Sequence, residues 1–523
     1  MYLVNTKQIK AIENHAIKQM DIPSLLLMEN AAVQTVKHIT KLLNGKKRVA
    51  VVCGYGHNGG DGCAIARLLH SQGLSVRVIF VGNKSQQTDT MDEPEDFPPT
   101  KNLGKGIFKD TFINQNIVEK MGLVTQSLQE ALLYADVIVD AIYGTGLKGA
   151  VTGASVQAIN YINSQKVPIV AVDIPSGVEA DTGNVGTVAV QADITVTFGF
   201  AKIGLMLFPG AIYAGKIEVE NISIPQESIS FDSPVLEVVD DIKSLLPMRH
   251  VRSHKGTYGR ICVLAGSANM PGAAVLACKA TYKAGAGLVN ACVVPEVANV
   301  IKNNAHEVIL TVVPDKNGEY FDFESTKKSL EQAKVIILGP GIGRSSHVKN
   351  FVYQVINFAK LNNKPLVLDA DALVAVADNL AILKNMQAPC IITPHPGEMS
   401  ILTGYSVPQI LENLLGFAQD FAQKNGVITV LKDARTIIAH SSGRTFINLT
   451  GSPAMAKAGS GDVLTGIIGA FIAQNLDTYL ETVAAVYIHG KAGEIAAETM
   501  SDYSVNATNL IDCVGSAILQ ANM

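Results

Sequence analysis

The sequence predicts an α/β protein made of two successive halves, each built on a mostly parallel sheet. Three observations predict it. Short apolar runs that read as buried strands alternate with helical runs, the pattern of βαβ units. Glycine-rich turns follow several of these strands, where open parallel sheets receive ligands. A break near residues 226–250 separates two such series, which share no motif and no short-period repeat. A chain of 523 residues accommodates two large domains. With 48% hydrophobic and 17% charged residues, it is neither disordered nor a disulfide scaffold.

Forty-two Lys and Arg oppose 46 Asp and Glu. No basic excess points to nucleic acid, and no polybasic run points to a membrane surface. The cysteines Cys53, Cys63, Cys262, Cys278, Cys292, Cys390 and Cys513 form no CxxC pair. They are expected as reduced core residues. The N-terminus lacks a signal-peptide pattern, and no apolar run is long enough to span a bilayer. A soluble cytoplasmic protein is expected.

In the first half, strands are expected at 48–54, 74–82, 135–144, 167–177 and 192–199, with closing strands and a turn before residue 225. The polar, proline-containing stretch Asn83–Thr100 reads as a loop. Residues 226–250 read as a linker. The second half has strand candidates at 260–268, 333–343 and 364–373, and in APCIITPHPGEM, GVITVLKD and RTIIAH. Long helical runs follow from Gly461.

Chemistry concentrates where strands end. RVAVVCGYGHNGGDG leads a strand into a turn bearing His57, Asn58, Gly59, Gly60 and Asp61. Its glycines permit close backbone approach, and helix-start amides can hold ligand oxygens. Asp140 opens DAIYGTGLKG, and Asp173 opens DIPSG with Ser176. Neighbouring strands would bring these ends together in one crevice, whereas a lone Asp there is often a helix cap. Asn58, Asp140 and Ser176 offer oxygens that suit a hard cation. The half has no His/Cys cluster with zinc spacing.

MENAA, GxGHNGGDG, DAIYGTGLKG, VDIPSG and TFGFAKIG, in this order, resemble the N-terminal epimerase domain of bifunctional NAD(P)H-hydrate repair enzymes. The resemblance covers about residues 1–225 and implies a Rossmann-like three-layer fold. It also implies potassium held by Asn58, Asp140 and Ser176, and hydrate contacts at 57–61 and at Gly144, Thr145, Gly146, Leu147, Lys148, Gly149 and Ala150. Asp173 becomes the catalytic carboxylate. Tyr55 stands where the family commonly has Pro, and the stretch around Ile203 also departs from its pattern.

The second half carries HKGTYG, MPGA, GPGIG, DADAL, TPHPGEM and finally GSPAMAKAGSGDVL. GSGD before an apolar helix can cradle phosphoryl oxygens, with Asp462 placed to take a hydroxyl proton. No GxxxxGK[ST] marks a P-loop and no GxSxG marks a hydrolase. The motif order resembles the ribokinase-like ADP/ATP-dependent NAD(P)H-hydrate dehydratases, implying a ribokinase-like α/β domain over residues 251–523. By that resemblance Ala273, Gly341 and His395 contact the hydrate, while Lys432, Asp433, Ala434, Arg435, Thr436 and Gly461 contact ADP. Gly459 and Ser460 belong to the same phosphate loop. Asp462 meets the C6 hydroxyl, and Mg²⁺ joins the nucleotide. The family often has Gly where Ala454 stands and Thr where Lys457 stands.

The activity so implied is bifunctional. One half interconverts the R and S forms of NAD(P)HX, and the other dehydrates the S form at the expense of ADP. The resemblance also implies a homo-oligomer, tetramer or octamer, assembled through the second domain. The residues also admit two other readings. One is a ribokinase-type kinase of a vitamin alcohol fused to a regulatory domain. The other is a nucleotide-binding regulator that converts nothing. His489-Gly490 reads either as support for the nucleotide site or as helix packing.

Overall fold

The computed structural model describes residues 1–82, 109–229, 236–239, 241–474 and 477–522. The chain divides into two compact units, residues 2–233 and residues 234–523 with Met1. The predicted loop Asn83–Thr100 lies outside the described residues.

In the first unit six parallel strands lie in the order Ser75–Phe80, Arg48–Cys53, Val137–Ala141, Ile169–Val172, Ile194–Phe198 and Lys216–Glu220. Period-two alternation builds three layers. Val49, Val51 and Cys53 face the helices Ser24–Leu43 and His57–Ser71. Ala50 and Val52 face Leu128–Tyr134 and Ala154–Asn163. Ile65, Leu69 and Ile138 are fully buried. Burial of each is worth roughly 1.5–3 kcal/mol over exposure. The strand order reverses between Arg48–Cys53 and Val137–Ala141, and this opens a crevice at their carboxyl ends.

The helix after the first strand of this sheet begins at His57, so Asn58, Gly59, Gly60 and Asp61 lie in its first turns. Helix propensity disfavours that run by about 1 kcal/mol per glycine. Packing overrides it. A methyl on Gly59 would lie 1.9 Å from the Gly54 carbonyl oxygen, and one on Gly62 would lie 2.6 Å from Ala141 Cβ.

In the second unit the strand order is Ile309–Val312, Leu288–Val293, Arg260–Leu264, Val335–Leu338, Leu366–Leu368, Cys390–Ile392, Ile428–Leu431, Ile437–Ala439, Thr445–Asn448 and Leu236–Val239. Pairing is parallel as far as Ile428–Leu431 and antiparallel across the next two pairs. Leu236–Val239 then lies parallel to Thr445–Asn448. Helices Pro271–Lys283 and Ser460–Ile472 pack closely. A methyl on Gly466 would sit 2.4 Å from the Ala277 carbonyl oxygen.

The stretch read as a linker differs from expectation, because it contains the strand Leu236–Val239, in register with Thr445–Asn448. Leu288–Val293, Ile309–Val312 and Thr445–Asn448 are also strands that the sequence reading did not mark. Among the described residues no helix is long and apolar enough to cross a membrane. No disulfide joins the cysteines, and all but Cys513 are buried.

Candidate functional site

In the first unit the buried centre is Asp140, inside the strand Val137–Ala141 and wholly shielded from solvent. Its carboxylate accepts hydrogen bonds from Ser176 Oγ (2.6 Å), Ser176 N (2.8 Å) and Ile142 N (3.3 Å). Asn58 Nδ2 donates to the Tyr143 carbonyl at 2.9 Å, and Tyr143 N donates to Ser176 Oγ at 2.8 Å. Burial pushes the Asp140 carboxyl up to about 6, against the lowering effect of the Ser176 hydrogen bonds. All its donors are neutral, so this buried acid has no cationic side chain bonded to it. Asn58, Asp140 and Ser176 therefore meet around the Tyr143 carbonyl, an oxygen set that fits a hard cation.

Asp173 follows the strand Ile169–Val172 with a φ of +67°, a strained value for a residue with a side chain. Its N–H donates to the Val196 carbonyl at 2.7 Å. Asp173 Oδ1 accepts from Lys202 Nζ at 2.5 Å and from Thr197 Oγ1 at 3.0 Å. Lys202 is almost completely buried, and its ammonium also donates to Thr197 Oγ1 and the Phe198 carbonyl. Two more carboxyls share this neighbourhood. Burial, opposed by Lys202, pushes Glu13 up to about 7. Burial and then repulsion from Asp173 push Asp61 well above the usual carboxylate range.

The other expected contacts spread around this centre. Gly144 lies against Asn58, where a methyl would come within 3.3 Å of its side chain. Gly149 N donates to Glu179 Oε1 at 2.7 Å. Gly146, Lys148 and Ala150 are exposed, Thr145 and Leu147 are half-buried, and His57 is exposed while Gly59 and Gly60 are buried. Sequence reasoning missed Lys202. Its signal was a single lysine inside the apolar run FGFAKIGLMLF.

In the second unit the centre is an ion-pair network at the carboxyl ends of adjacent strands. Lys432 Nζ donates to Asp369 Oδ1 at 3.1 Å, and Thr465 Oγ1 donates to Asp369 Oδ2 at 2.7 Å. Glu398 Oε2 lies 4.0 Å from Lys432 Nζ and accepts from His395 N at 2.9 Å. Burial pushes Glu398 up against the pull of Lys432. His395 is exposed and caps the helix Pro396–Thr403, with Nδ1 accepting from Gly397 N and Glu398 N.

Asp462 lies in the first turn of the helix Ser460–Ile472, behind Gly459 with a φ of +92°. Burial, followed by repulsion from Asp369, pushes its carboxyl up to about 7, and Lys432 opposes the shift. Gly461 lies on the ion pair, since a methyl there would be 3.2 Å from Lys432 Nζ. Ser460 Oγ donates to the Met455 carbonyl at 2.8 Å, and the Ser460 carbonyl lies 3.0 Å from His489 Nε2. Burial holds His489 down at about 4, so it is a neutral ring that donates to that carbonyl. His489 thus braces the GSGD turn as well as packing its helix.

Gly341 and Ala273 meet, because a methyl on Gly341 would lie 3.0 Å from Ala273 Cβ. Asp371 accepts from Arg344 Nε at 2.6 Å and from Gly343 N at 3.1 Å. Between Asp369 and Asp371, Ala370 has a φ of +50°. Asp433 and Ala434 are exposed; Arg435 donates to the Leu449 carbonyl, and the Thr436 carbonyl accepts from Asn448 N. Lys432 is therefore bonded to Asp369, paired with Glu398 and within electrostatic reach of Asp462, while residues 433–436 follow it in the chain. Asp369 and Thr465 were not marked as site residues. No cluster of three or more His, Cys, Asp or Glu that could hold a metal occurs among the described residues.

Each unit thus sets a buried acid and a lysine, buried in the first unit and half-buried in the second, at the carboxyl edge of a parallel sheet, the arrangement of an acid–base α/β enzyme. Residues 261–515 match the NAD(P)H-hydrate dehydratase family and residues 24–204 match the YjeF-related protein N-terminus family. A bifunctional NAD(P)H-hydrate repair enzyme of Moorella thermoacetica is 37% identical over 98% of this chain and 96% of its own length. The Escherichia coli enzyme of the same name is 33% identical over 88% of this chain and 83% of its own. A Bacillus subtilis ADP/ATP-dependent NAD(P)H-hydrate dehydratase, co-crystallised with ATP and Mg²⁺, is 28% identical. It covers 56% of this chain and 100% of its own, with a TM-score of 0.47. The chain belongs to the family of bifunctional NAD(P)H-hydrate repair enzymes.

Proposed function

We propose that the chain repairs hydrated nicotinamide dinucleotides. Its first unit interconverts (6R)- and (6S)-NAD(P)HX. Its second unit converts the S epimer to NAD(P)H, consuming ADP and releasing AMP and phosphate. The observation that carries this reading is Asp462, set behind the Gly459–Gly461 turn and beside the Asp369–Lys432 pair. Relatives named as repair enzymes along nearly the whole chain support it over a vitamin-alcohol kinase fused to a regulator.

In the second unit Asp462 takes the C6 hydroxyl proton, and the freed oxygen attacks the terminal phosphorus of ADP. Hydroxide leaves poorly, whereas phosphate leaves well. AMP leaves with the electron pair of the broken anhydride bond, the ring nitrogen's lone pair then expels phosphate to give an iminium ion, and loss of a C5 proton restores the C5–C6 double bond of the dihydronicotinamide. Lys432 and the amides of residues 459–462 face the charge that spreads over the phosphoryl oxygens. Mg²⁺, bound with the nucleotide, would supply further screening of that charge. Ala273, Gly341 and His395 border the hydrate, and residues 432–436 border the nucleotide.

In the first unit Asp173 accepts the C6 hydroxyl proton, the C6–N1 bond breaks to leave an aldehyde at C6, and the nitrogen adds back to either face as the proton returns to the oxygen. Residues 57–61 and 144–150 hold the hydrate. Asn58, Asp140 and Ser176 would hold potassium, which would supply the counter-charge that Asp140 lacks. We place the protein in the cytoplasm as a homo-oligomer, tetramer or octamer, that binds neither nucleic acid nor membranes.

The test is direct. Purified protein receives mixed NADHX epimers with and without ADP, and NADH absorbance is followed. NADH forms only with ADP, and Asp462→Asn abolishes it. Unchanged NADH yield in that variant overturns the assignment of Asp462. Accumulation of a phosphorylated hydrate without NADH indicates a kinase.

A further inference from the structure

A lysine inside an apolar core is costly unless its charge is paired and its hydrogens are bonded. Lys202 meets both conditions. Only 2% of its side chain is exposed. Its ammonium bonds Asp173 Oδ1 at 2.5 Å, Thr197 Oγ1 at 3.0 Å and the Phe198 carbonyl at 3.1 Å. Three hydrogens meet three acceptors, so the ammonium has none left for a bound ligand. Thr197 Oγ1 supplies a second donor to the same Asp173 oxygen. Among the described residues every hydrogen bond to the carboxylate therefore falls on Oδ1, and Oδ2 is left for the substrate.

The carbon skeleton is fixed as well. The φ of +67° at Asp173 and its N–H bond to Val196 point the residue back over the neighbouring strand Ile194–Phe198. The same strand contributes Thr197 and the Phe198 carbonyl. One lysine thus ties the strained turn, the strand beside it and the catalytic oxygen into a single unit. Other charged groups nearby are the carboxyls of Glu13 and Asp61, carried by the helices Thr6–Lys18 and His57–Ser71. Three carboxyls surround one ammonium, and only Asp173 is bonded to it.

We propose that Lys202 is the positioning residue of the epimerase site: its buried ammonium supplies the counter-charge for Asp173 and turns a single carboxylate oxygen toward the C6 hydroxyl. This rests on the reading of Asp173 as the base. Lys202 contacts no substrate, so its loss acts on turnover and not on binding.

Epimerisation of (6R)-NADHX is measured on the full chain without ADP, which keeps the second unit silent. Lys202→Met is expected to lower kcat by about 100-fold, the low end of what a positioned base contributes, with KM little changed. Thr197→Val removes only the neutral donor to Oδ1 and is expected to lower kcat less, again without a change in KM. In a Lys202→Met/Asp173→Asn double variant the loss should equal that of Asp173→Asn alone, because both act through one oxygen. A merely structural role gives additive losses and a raised KM, and that result overturns the proposal. If Lys202→Met does not fold, Thr197→Val decides: a wild-type kcat there overturns it. If Asp173→Asn itself epimerises at the wild-type rate, the reading of Asp173 falls first.

Discussion

Asp462 shows how burial sets a residue to its work. A carboxyl pushed up to about 7 keeps its proton in acid and gives it up near neutrality. Proton acceptance from the C6 hydroxyl needs the ionised form. ADP-dependent kcat/KM should therefore fall as pH drops below about 7, roughly tenfold per unit, as kcat/KM reports the free enzyme. A pH–rate profile with an acidic limb near pH 4 would contradict this. His489, held at about 4, stays neutral over that range and adds no limb. The glycines and the acids Asp61, Asp140, Asp173 and Asp462 could be picked out as candidates because they cluster in turns after strand-like runs. Lys202, Asp369 and Thr465 were not so picked out. Each acts through a partner more than 20 residues away, and no spacing rule reports such pairs.

Among the elements, the central strands were readable because buried parallel strands form continuous apolar runs. Leu288–Val293 merges with the apolar stretch around it, and Leu236–Val239 is too short to stand out beside Pro234. The helix His57–Ser71 began earlier than expected because tertiary contact outweighs glycine's poor helix propensity. That contact gives a prediction. In Gly59→Ala the new methyl meets the Gly54 carbonyl at 1.9 Å, and the turn must move. Overpacking of this kind costs about 1–3 kcal/mol. Thermal unfolding should show the loss in the first unit, along with slower epimerisation, while ADP-dependent dehydration of (6S)-NADHX continues. Equal damage to both activities would contradict a local effect.

For the whole chain, two sites act in series on one substrate. Asp173→Asn should leave the second unit working on the S epimer alone. With mixed epimers and ADP, early NADH formation should be fast and then slow to the uncatalysed rate of epimer exchange. Adding the Asp462→Asn protein, with its first unit intact, should restore completion. Failure to complement would show that the activities cannot be divided between chains. The pairing of Leu236–Val239 with Thr445–Asn448 bears on how such proteins are cut apart. A dehydratase fragment begun at residue 251 would lose that strand and bare a row of unpaired amides and carbonyls, an invitation to self-association. Begun at residue 234, it keeps the pairing with Thr445–Asn448 and loses only the hydrogen bonds between Val238 and Met1, and light scattering on the two fragments would tell them apart.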